Sequence, residues 1–326
     1  MRAVWYSLFG PAANVIELGE IETPQPGPGE VRVKLDYSGV NPSDAKARSG
    51  SRPGVTKPPY DRVIPHSDGS GVIDAVGDGV DGTRAGQPVW IWNGAWQRAF
   101  GTAAEYICLP AAQAVAMPAG LDPQIGAVLG IPGLTAAQTV FGGGDVQDQT
   151  LLVSGGAGAV GHNAVQLAKW GGARVIATCS ADAMDRVHAA GADAVFDYKD
   201  PDLAAKITDA SGGIDRAVEV EFGVNTALLG DVMKPMATIA AYGSGKDMTP
   251  TLPFGPYLFK ALKLDITLIY LLPQDQRESI ISRLHDALIA GALKPAIGAV
   301  YALKDCATAH EAVMTPGRAG AVLLEV

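Results

Sequence analysis

The stretch most able to do chemistry is Ser154-Gly155-Gly156-Ala157-Gly158-Ala159-Val160-Gly161, directly after the apolar run Leu151-Leu152-Val153. An apolar run without polar alternation fits a strand covered on both faces. Val160, Ala164, Val165 and Ala168 then recur at helical spacing, which predicts a helix from about Ala159. A strand, a glycine turn and a helix, in that order, build a dinucleotide phosphate site. The tight turn needs a residue that tolerates positive φ, and Gly155 or Gly156 supplies it. The missing Cβ at Gly158 lets a pyrophosphate approach the backbone, and that at Gly161 lets helix and strand pack closely. The helix N-terminus adds free N–H groups and partial positive charge. A glycine-rich turn without a ligand is the competing reading. A second strand at Arg174-Val175-Ile176-Ala177-Thr178 favours the nucleotide site.

The rest of the chain must position this turn. Its 326 residues suffice for two domains. With 48% hydrophobic and 18% charged residues, large buried cores are expected and disorder is not. The net charge of −9 argues against nucleic acid or an anionic membrane as partner. No apolar window is long enough to span a bilayer, and Met1-Arg2-Ala3-Val4-Trp5-Tyr6 reads as a strand, not a signal peptide. Cys108, Cys179 and Cys306 are far apart and odd in number. They form neither a disulfide framework nor a C-x-x-C metal knuckle, and each is expected to be a small buried hydrophobe. A cytoplasmic protein fits this usage.

Residues 1–121 are β-rich, with candidate strands at Ala3–Tyr6, Val15–Glu20, Val31–Ser38, Gly71–Val76, Pro88–Trp92 and Thr102–Leu109. Turn-forming Pro and Gly stretches separate them, and no βαβ rhythm is present, so a compact antiparallel barrel-like domain is expected. From about Asp122 helices at Ile125–Leu129 and Thr135–Phe141 are predicted, and strands and helices then alternate. The alternation implies an α/β fold with a doubly wound parallel sheet over 122–296, ending in a strand Asp265–Leu272 and a helix Gln274–Ala290. The strand-like tail 297–326 is expected to rejoin the first domain.

Several further motifs carry a family resemblance: Gly39-Val40-Asn41-Pro42-Ser43-Asp44, Gly69-Ser70-Gly71-Val72-Ile73-Asp74-Ala75-Val76-Gly77, Gly101-Thr102-Ala103-Ala104-Glu105-Tyr106 and Gly130-Ile131-Pro132-Gly133-Leu134-Thr135-Ala136. With the glycine turn and Gly191-Ala192-Asp193-Ala194-Val195, the whole chain resembles the zinc-independent quinone oxidoreductases, the ζ-crystallin-like group of the medium-chain dehydrogenase/reductase superfamily. The resemblance implies a GroES-like catalytic domain wrapped around a Rossmann domain.

Zinc alcohol dehydrogenases of that superfamily carry a Cys near the first motif and a Gly-His-Glu later. Here those positions hold Asn41 and His66-Ser67-Asp68, and Ser67 stands where the ligand His would be. Catalytic zinc needs three protein ligands, so no metal is expected. His66, one residue from the lost position, is expected to be a surface or loop histidine. Without a Lewis acid, the chemistry must suit direct hydride transfer to an electrophilic acceptor. The resemblance implies an NADPH-dependent quinone reductase, with an α,β-unsaturated carbonyl (alkenal or enone) reductase or a non-catalytic NADPH-binding protein as alternatives. Asn41 is where the family places an amide near nicotinamide and substrate, though a cap before Pro42 is its bland reading. The family's substrate-side Tyr is absent from Ser51-Arg52-Pro53-Gly54, and Tyr60 is the candidate substitute. Trp92, Asn93, Trp96 and Arg98 line an acceptor pocket or form a packed loop.

The second strand ends in Ala177-Thr178-Cys179-Ser180 without a carboxylate at its tip, so a 2′-phosphate is not repelled and Ser180 can bond it. The family Lys a little further on is missing; Arg186 or Lys199 is the candidate replacement, and Asp182 counts against NADP. By resemblance, Gly156, Ala157, Gly158, Ala159 and Val160 cradle the pyrophosphate and Tyr198 lies near the adenosine phosphate. Tyr242, Gly243 and Ser244 meet the nicotinamide ribose, Ile269, Tyr270 and Leu271 the carboxamide, and Asn41 and Thr135 the nicotinamide side. The family commonly dimerises edge to edge, so a homodimer is expected through Asp265–Leu272.

Overall fold

A computed structural model describes residues 1–51 and 54–326. The chain divides into two compact units, Met1–Ile131 with Ala296–Val326, and Pro132–Pro295.

The first unit is built on the long strand Glu30–Val40. Val31, Val33 and Leu35 point inward and are at most 4% exposed, while Arg32, Lys34 and Asp36 alternate with them. Each buried apolar side chain is worth roughly 1.5–3 kcal/mol. A one-residue slip would swap them for charges, and this holds the register. The sheet runs Ile297–Ala302, Ala321–Glu325, Glu30–Val40, Asp68–Val76, Pro88–Ile91, Ala114–Ala116, with Tyr106–Pro110 also paired to Glu30–Val40. All pairs are antiparallel except Ile297–Ala302 with Ala321–Glu325. Ile73, Val89, Ile91, Ile107 and Leu109 fill its core. Helix Cys306–Met314 lays Cys306, Ala309 and Val313 into a second core with Val4, Ile64 and Leu324.

The second unit is a six-stranded parallel sheet. Its spatial order is Ala194–Asp197, Arg174–Cys179, Thr150–Ser154, Ile214–Glu219, Met233–Ala241, Lys263–Ile266. Numbered along the unit this is 3-2-1-4-5-6, the dinucleotide-binding order, whose crevice opens where the direction of winding reverses. Here that point lies between the ends of Thr150–Ser154 and Ile214–Glu219. Leu151, Leu152 and Val153 are at most 1% exposed, as an apolar run covered on both faces requires. The expected α/β class therefore holds.

Three element expectations change. The apolar run Asp265–Leu272 is not one strand: pairing stops at Ile266, and Ile269–Leu271 forms a 3-10 turn. The Arg277 guanidinium donates to the Ile269 carbonyl at 2.9 Å and to that of Leu272 at 3.2 Å, drawing this segment toward helix Gln274–Ile289. The helix expected at Ile125–Leu129 ends at Gly126. A π-helical turn Leu129–Gly133 follows, because Pro132 lacks the N–H an α-helix would need. The strand expected from Thr102 begins only at Tyr106. No helix among the described residues is long and apolar enough to cross a membrane.

Candidate active site

The glycine turn of the second unit forms as its residues dictate. Gly155 has φ +68°, so it and not Gly156 makes the left-handed turn. A Cβ on Gly161 would lie 2.1 Å from the Gly155 carbonyl oxygen, so strand and helix meet there without room for a methyl. A Cβ on Gly158 would meet only that same oxygen, at 3.4 Å. Gly158 caps helix Ala159–Trp170 in an extended conformation, and the first N–H groups of that helix, at Ala159 and Val160, have no intrahelical acceptor. Gly156, Ala157, Gly158, Ala159 and Val160 thus form a backbone cradle with space in front of it.

Sequence reading overlooked Glu219, whose carboxylate position within an apolar strand was the available signal. It ends Ile214–Glu219 at the switch point and is fully buried. Its Oε1 accepts from Ser154 Oγ at 2.8 Å and Asn225 Nδ2 at 3.0 Å, and from the Glu221 backbone N–H. Burial raises its carboxyl above the usual range, against these hydrogen bonds. Ser154 Oγ also accepts from the Val220 N–H at 3.1 Å, so the ends of the two switch-point strands are tied together.

At the tip of Arg174–Cys179, Ser180 donates to Asp182, and this bond is the main reason the Asp182 carboxyl is depressed. The Arg186 and Lys199 charges lower it further. Arg186 Nη2 lies 3.4 Å from the Ala157 carbonyl, so it reaches the cradle itself. Tyr198 is 48% exposed and its ring lies under two ammonium groups, Lys199 at 5.6 Å and Lys246 at 5.8 Å. Arg186 and Lys199 thus lie near Asp182 at the tip of this strand, and Lys246, which was not anticipated, joins Lys199 at Tyr198. Tyr242 follows strand Met233–Ala241, its N–H bonded to the Glu219 carbonyl at 3.0 Å. Burial raises its phenol, with Glu219 adding to the shift. The Gly243 carbonyl accepts from the Phe222 N–H at 3.1 Å. The Ser244 hydroxyl accepts from the Gly223 N–H at 2.9 Å and donates to the Asp247 carbonyl. Thr135 is buried in helix Leu134–Phe141. Ile269 is buried, and Leu271 is 64% exposed. These residues and Tyr270 belong to a turn, so the backbone expected beside a carboxamide is not a strand.

In the first unit, Asn41 follows strand Glu30–Val40 and caps helix Pro42–Ser49. Preceding a proline, it is held extended, at φ −116° and ψ 155°. Its N–H donates to the Asp44 carboxylate at 2.8 Å. Its side-chain amide donates to Asp68 Oδ2, also at 2.8 Å, which leaves the second amide hydrogen for another acceptor. Both readings of Asn41 thus coexist. Asp68 is fully buried, and burial pushes its carboxyl well above the usual carboxylate range against the opposing Asn41 bond. An amide, a hydroxyl (Ser67) and a carboxyl occupy the positions of the zinc ligands and their neighbour, and two of the three hold each other. That donor set does not fit a catalytic zinc, which takes nitrogen, sulfur or ionised carboxylate ligands.

His66 lies in a loop but not on the surface. It is fully buried at φ +78°, stacked on His310 with ring centroids 5.1 Å apart. The packing of helix Cys306–Met314 on the sheet draws it inward. Tyr60 is 37% exposed and lines a cavity of about 730 Å³ with Trp5, Arg62, Ile64 and Phe100; Asn41 does not line it. Arg52 and Pro53, in the loop lacking the family Tyr, lie outside the described residues. In the Trp92–Arg98 cluster, the Trp96 N–H donates to the Asn93 carbonyl at 3.1 Å, and both Arg98 and the Trp92 N–H donate to Gln113, which ties the loop to that residue.

Comparison with known proteins agrees with this geometry. Residues 27–119 match the alcohol dehydrogenase GroES-like domain and residues 159–286 the zinc-binding dehydrogenase family. A chloroplast envelope quinone oxidoreductase homolog of Arabidopsis thaliana is 33% identical over 231 residues, 69% of either chain. An NAD-dependent alcohol dehydrogenase superposes with TM-score 0.88 at 30% identity over all of both chains. A mycobacterial protein solved with NADPH does so with TM-score 0.86 at 26% identity, again over all of both chains. These matches join a dinucleotide-order sheet, a glycine cradle at its switch point and a bonded Asn41–Asp68 pair, and the chain belongs to the zinc-independent quinone oxidoreductase group of the medium-chain dehydrogenase/reductase superfamily.

Proposed function

We propose that this oxidoreductase transfers hydride from NADPH to a quinone or a similar conjugated carbonyl, without zinc. The observation that carries the reading is the cradle: Gly155 turned left-handed, Gly161 packed against its carbonyl, and Gly158 placed so that a Cβ would touch only the Gly155 oxygen, at 3.4 Å. The dinucleotide supplies the hydride when bound. Gly156 to Val160 would hold its pyrophosphate. Ser180, with Arg186 and Lys199, would hold the 2′-phosphate, and Tyr198 would lie beside the adenosine. Tyr242, Gly243, Ser244 and the turn Ile269-Tyr270-Leu271 would hold the nicotinamide end, with Thr135. The NADPH complex of the mycobacterial relative supports the choice of nucleotide, and the names of the quinone oxidoreductase relatives support the acceptor.

Reduction of a carbonyl acceptor develops negative charge on oxygen. The free amide hydrogen of Asn41 is suited to meet that charge, and the Asp68 bond fixes its direction. Burial raises the Asp68 carboxyl next to it, against the Asn41 bond. Neither role calls for a metal.

The homodimer belongs to the same proposal. Strand Lys263–Ile266 pairs with Met233–Ala241 at the end of the sheet, with Ile266 74% and Leu268 49% exposed. An apolar edge invites a second strand. Light scattering should report two chains, and Ile266→Lys should report one.

The main test is turnover. Purified protein in chelator-treated buffer should oxidise NADPH when a small quinone is added. Absence of turnover across a panel of quinones, alkenals and enones would remove the reading. Turnover with alkenals or enones alone would move it to the unsaturated-carbonyl reductases.

A further inference from the structure

One cluster of chemically able side chains plays no part in this reaction. His66, Cys306 and His310, all fully buried, each present a ligand atom within 4.8 Å of the others. Cys306 and His310 are four residues apart on one helix, so they share a face. His66 comes from the strand entry on the other side of the first unit's core.

The hydrogen bonds define which atoms carry protons. Thr102 Oγ1 donates to the Asp68 carbonyl, at 2.5 Å. It must therefore accept from Ser38 Oγ, 2.8 Å away. Ser38 Oγ has then spent its proton and accepts from His66 Nδ1–H, at 2.9 Å. With Nδ1 protonated, His66 Nε2 carries a lone pair, and His310 Nε2–H donates to it at 2.9 Å. His310 Nδ1 is left as a buried acceptor with no hydrogen-bond partner. In this chain of bonds each ring carries one N–H; burial lowers both histidines, His66 well below its ordinary value and His310 to about 3, and raises the Cys306 thiol.

We propose that His66, His310 and Cys306 form a binding site for one copper(I) ion within the first unit. Three observations support this. Two imidazoles and a thiol are the donors a soft d10 ion selects. The Ser38 hydroxyl holds the non-ligating nitrogen of His66, which is the outer-shell bond that orients metal-bound histidines. The left-handed backbone at His66 is an unfavourable conformation for a residue with a side chain, and such strain gathers at functional sites. Charge selects the ion. One Cu⁺ enters, the Cys306 thiol proton leaves to solvent, and the His310 proton moves from Nε2 to the unpartnered Nδ1. The site stays neutral throughout. A zinc(II) ion would leave a positive charge in a place without solvent, beside the buried Arg48, and would find three of its usual four ligands. The two Nε2 atoms need part by only roughly half an ångström to admit an ion about 2.0 Å from each.

The full chain, reduced and anaerobic, is offered copper(I) as its coloured bicinchoninate complex. Capture of one equivalent per chain is expected, with X-ray absorption reporting one sulfur and two nitrogen neighbours. Cys306→Ser and His310→Gln should each weaken capture by roughly 100-fold or more, at least the loss typical of outer-shell changes. The Cys108→Ser, Cys179→Ser double variant should capture like the wild type. A melting curve for each variant confirms that it is folded. Copper left on the chelator by the wild type, equal capture by folded Cys306→Ser, a different set of neighbours, or preferential uptake of zinc(II) would each overturn the proposal.

Discussion

Two glycines three residues apart should fail in opposite ways. At Gly158 the backbone is extended, φ −76° and ψ 166°, and an added methyl would meet only the Gly155 oxygen at 3.4 Å. Gly158→Ala therefore adds no clash. Losing a glycine reduces unfolded-chain entropy, which stabilises by about 0.4–1 kcal/mol. Alanine is the poorer cap, by an amount of similar size, so stability should change by less than about 1 kcal/mol. The methyl fills the space in front of the cradle. Displacing a pyrophosphate from two backbone N–H groups, each hydrogen bond to a charged group being worth about 1.5–3 kcal/mol, removes at least ~3 kcal/mol. That is a rise of roughly 100-fold in the NADPH dissociation constant. At Gly161 the methyl would sit 2.1 Å from the Gly155 oxygen and 2.9 Å from the Gly156 Cα. Backbone must move, at about 3 kcal/mol, which for a unit of this size lowers the melting temperature by roughly 6–12 °C. Calorimetric titration with NADPH and a melting curve, run on both variants, separate the effects. If Gly158→Ala binds NADPH like the wild type, or Gly161→Ala melts with it, the cradle has been misassigned.

Asn41→Leu should lower kcat/KM for a quinone by roughly 100-fold, about 2.7 kcal/mol of lost charge stabilisation, while fluorescence titration shows NADPH binding nearly unchanged. Lys199→Ala should weaken NADPH by about tenfold and leave NADH binding nearly unaltered, since Lys199, unlike Arg186, does not reach the cradle and only 2′-phosphate charge is lost. The raised Glu219 carboxyl keeps its proton in the folded chain where the unfolded chain, near pH 4.3, has released it. Stability contributed by this group is thus greatest in acid and declines as pH rises from about 4.3 through the folded value. Glu219→Gln should remove that decline, visible as a flatter melting temperature against pH than the wild type, and an unchanged slope would refute the assignment.

The glycine turn, the helix after it and the strand–helix alternation were legible in the sequence because each depends on neighbours a few residues apart. So were Val31, Val33 and Leu35 on one strand face, and the cap at Asn41 before Pro42. The length of the last strand was not. Asp265–Leu272 is apolar and β-branched throughout, but Arg277, beyond the run, holds the carbonyls of Ile269 and Leu272 and bends it into a turn. Glu219 reads as one carboxylate in an apolar strand, and only the pairing of that strand with Thr150–Ser154 gives it Ser154 as a donor. Asn41 and Asp68 are 27 residues apart in the chain, and His66 and His310 are 244 apart. Propensity and periodicity act over a turn or a strand. Which distant polar groups share a dry interior is decided by sheet register and by helix Cys306–Met314 packing onto that sheet, so those pairings appear only once the chain is folded.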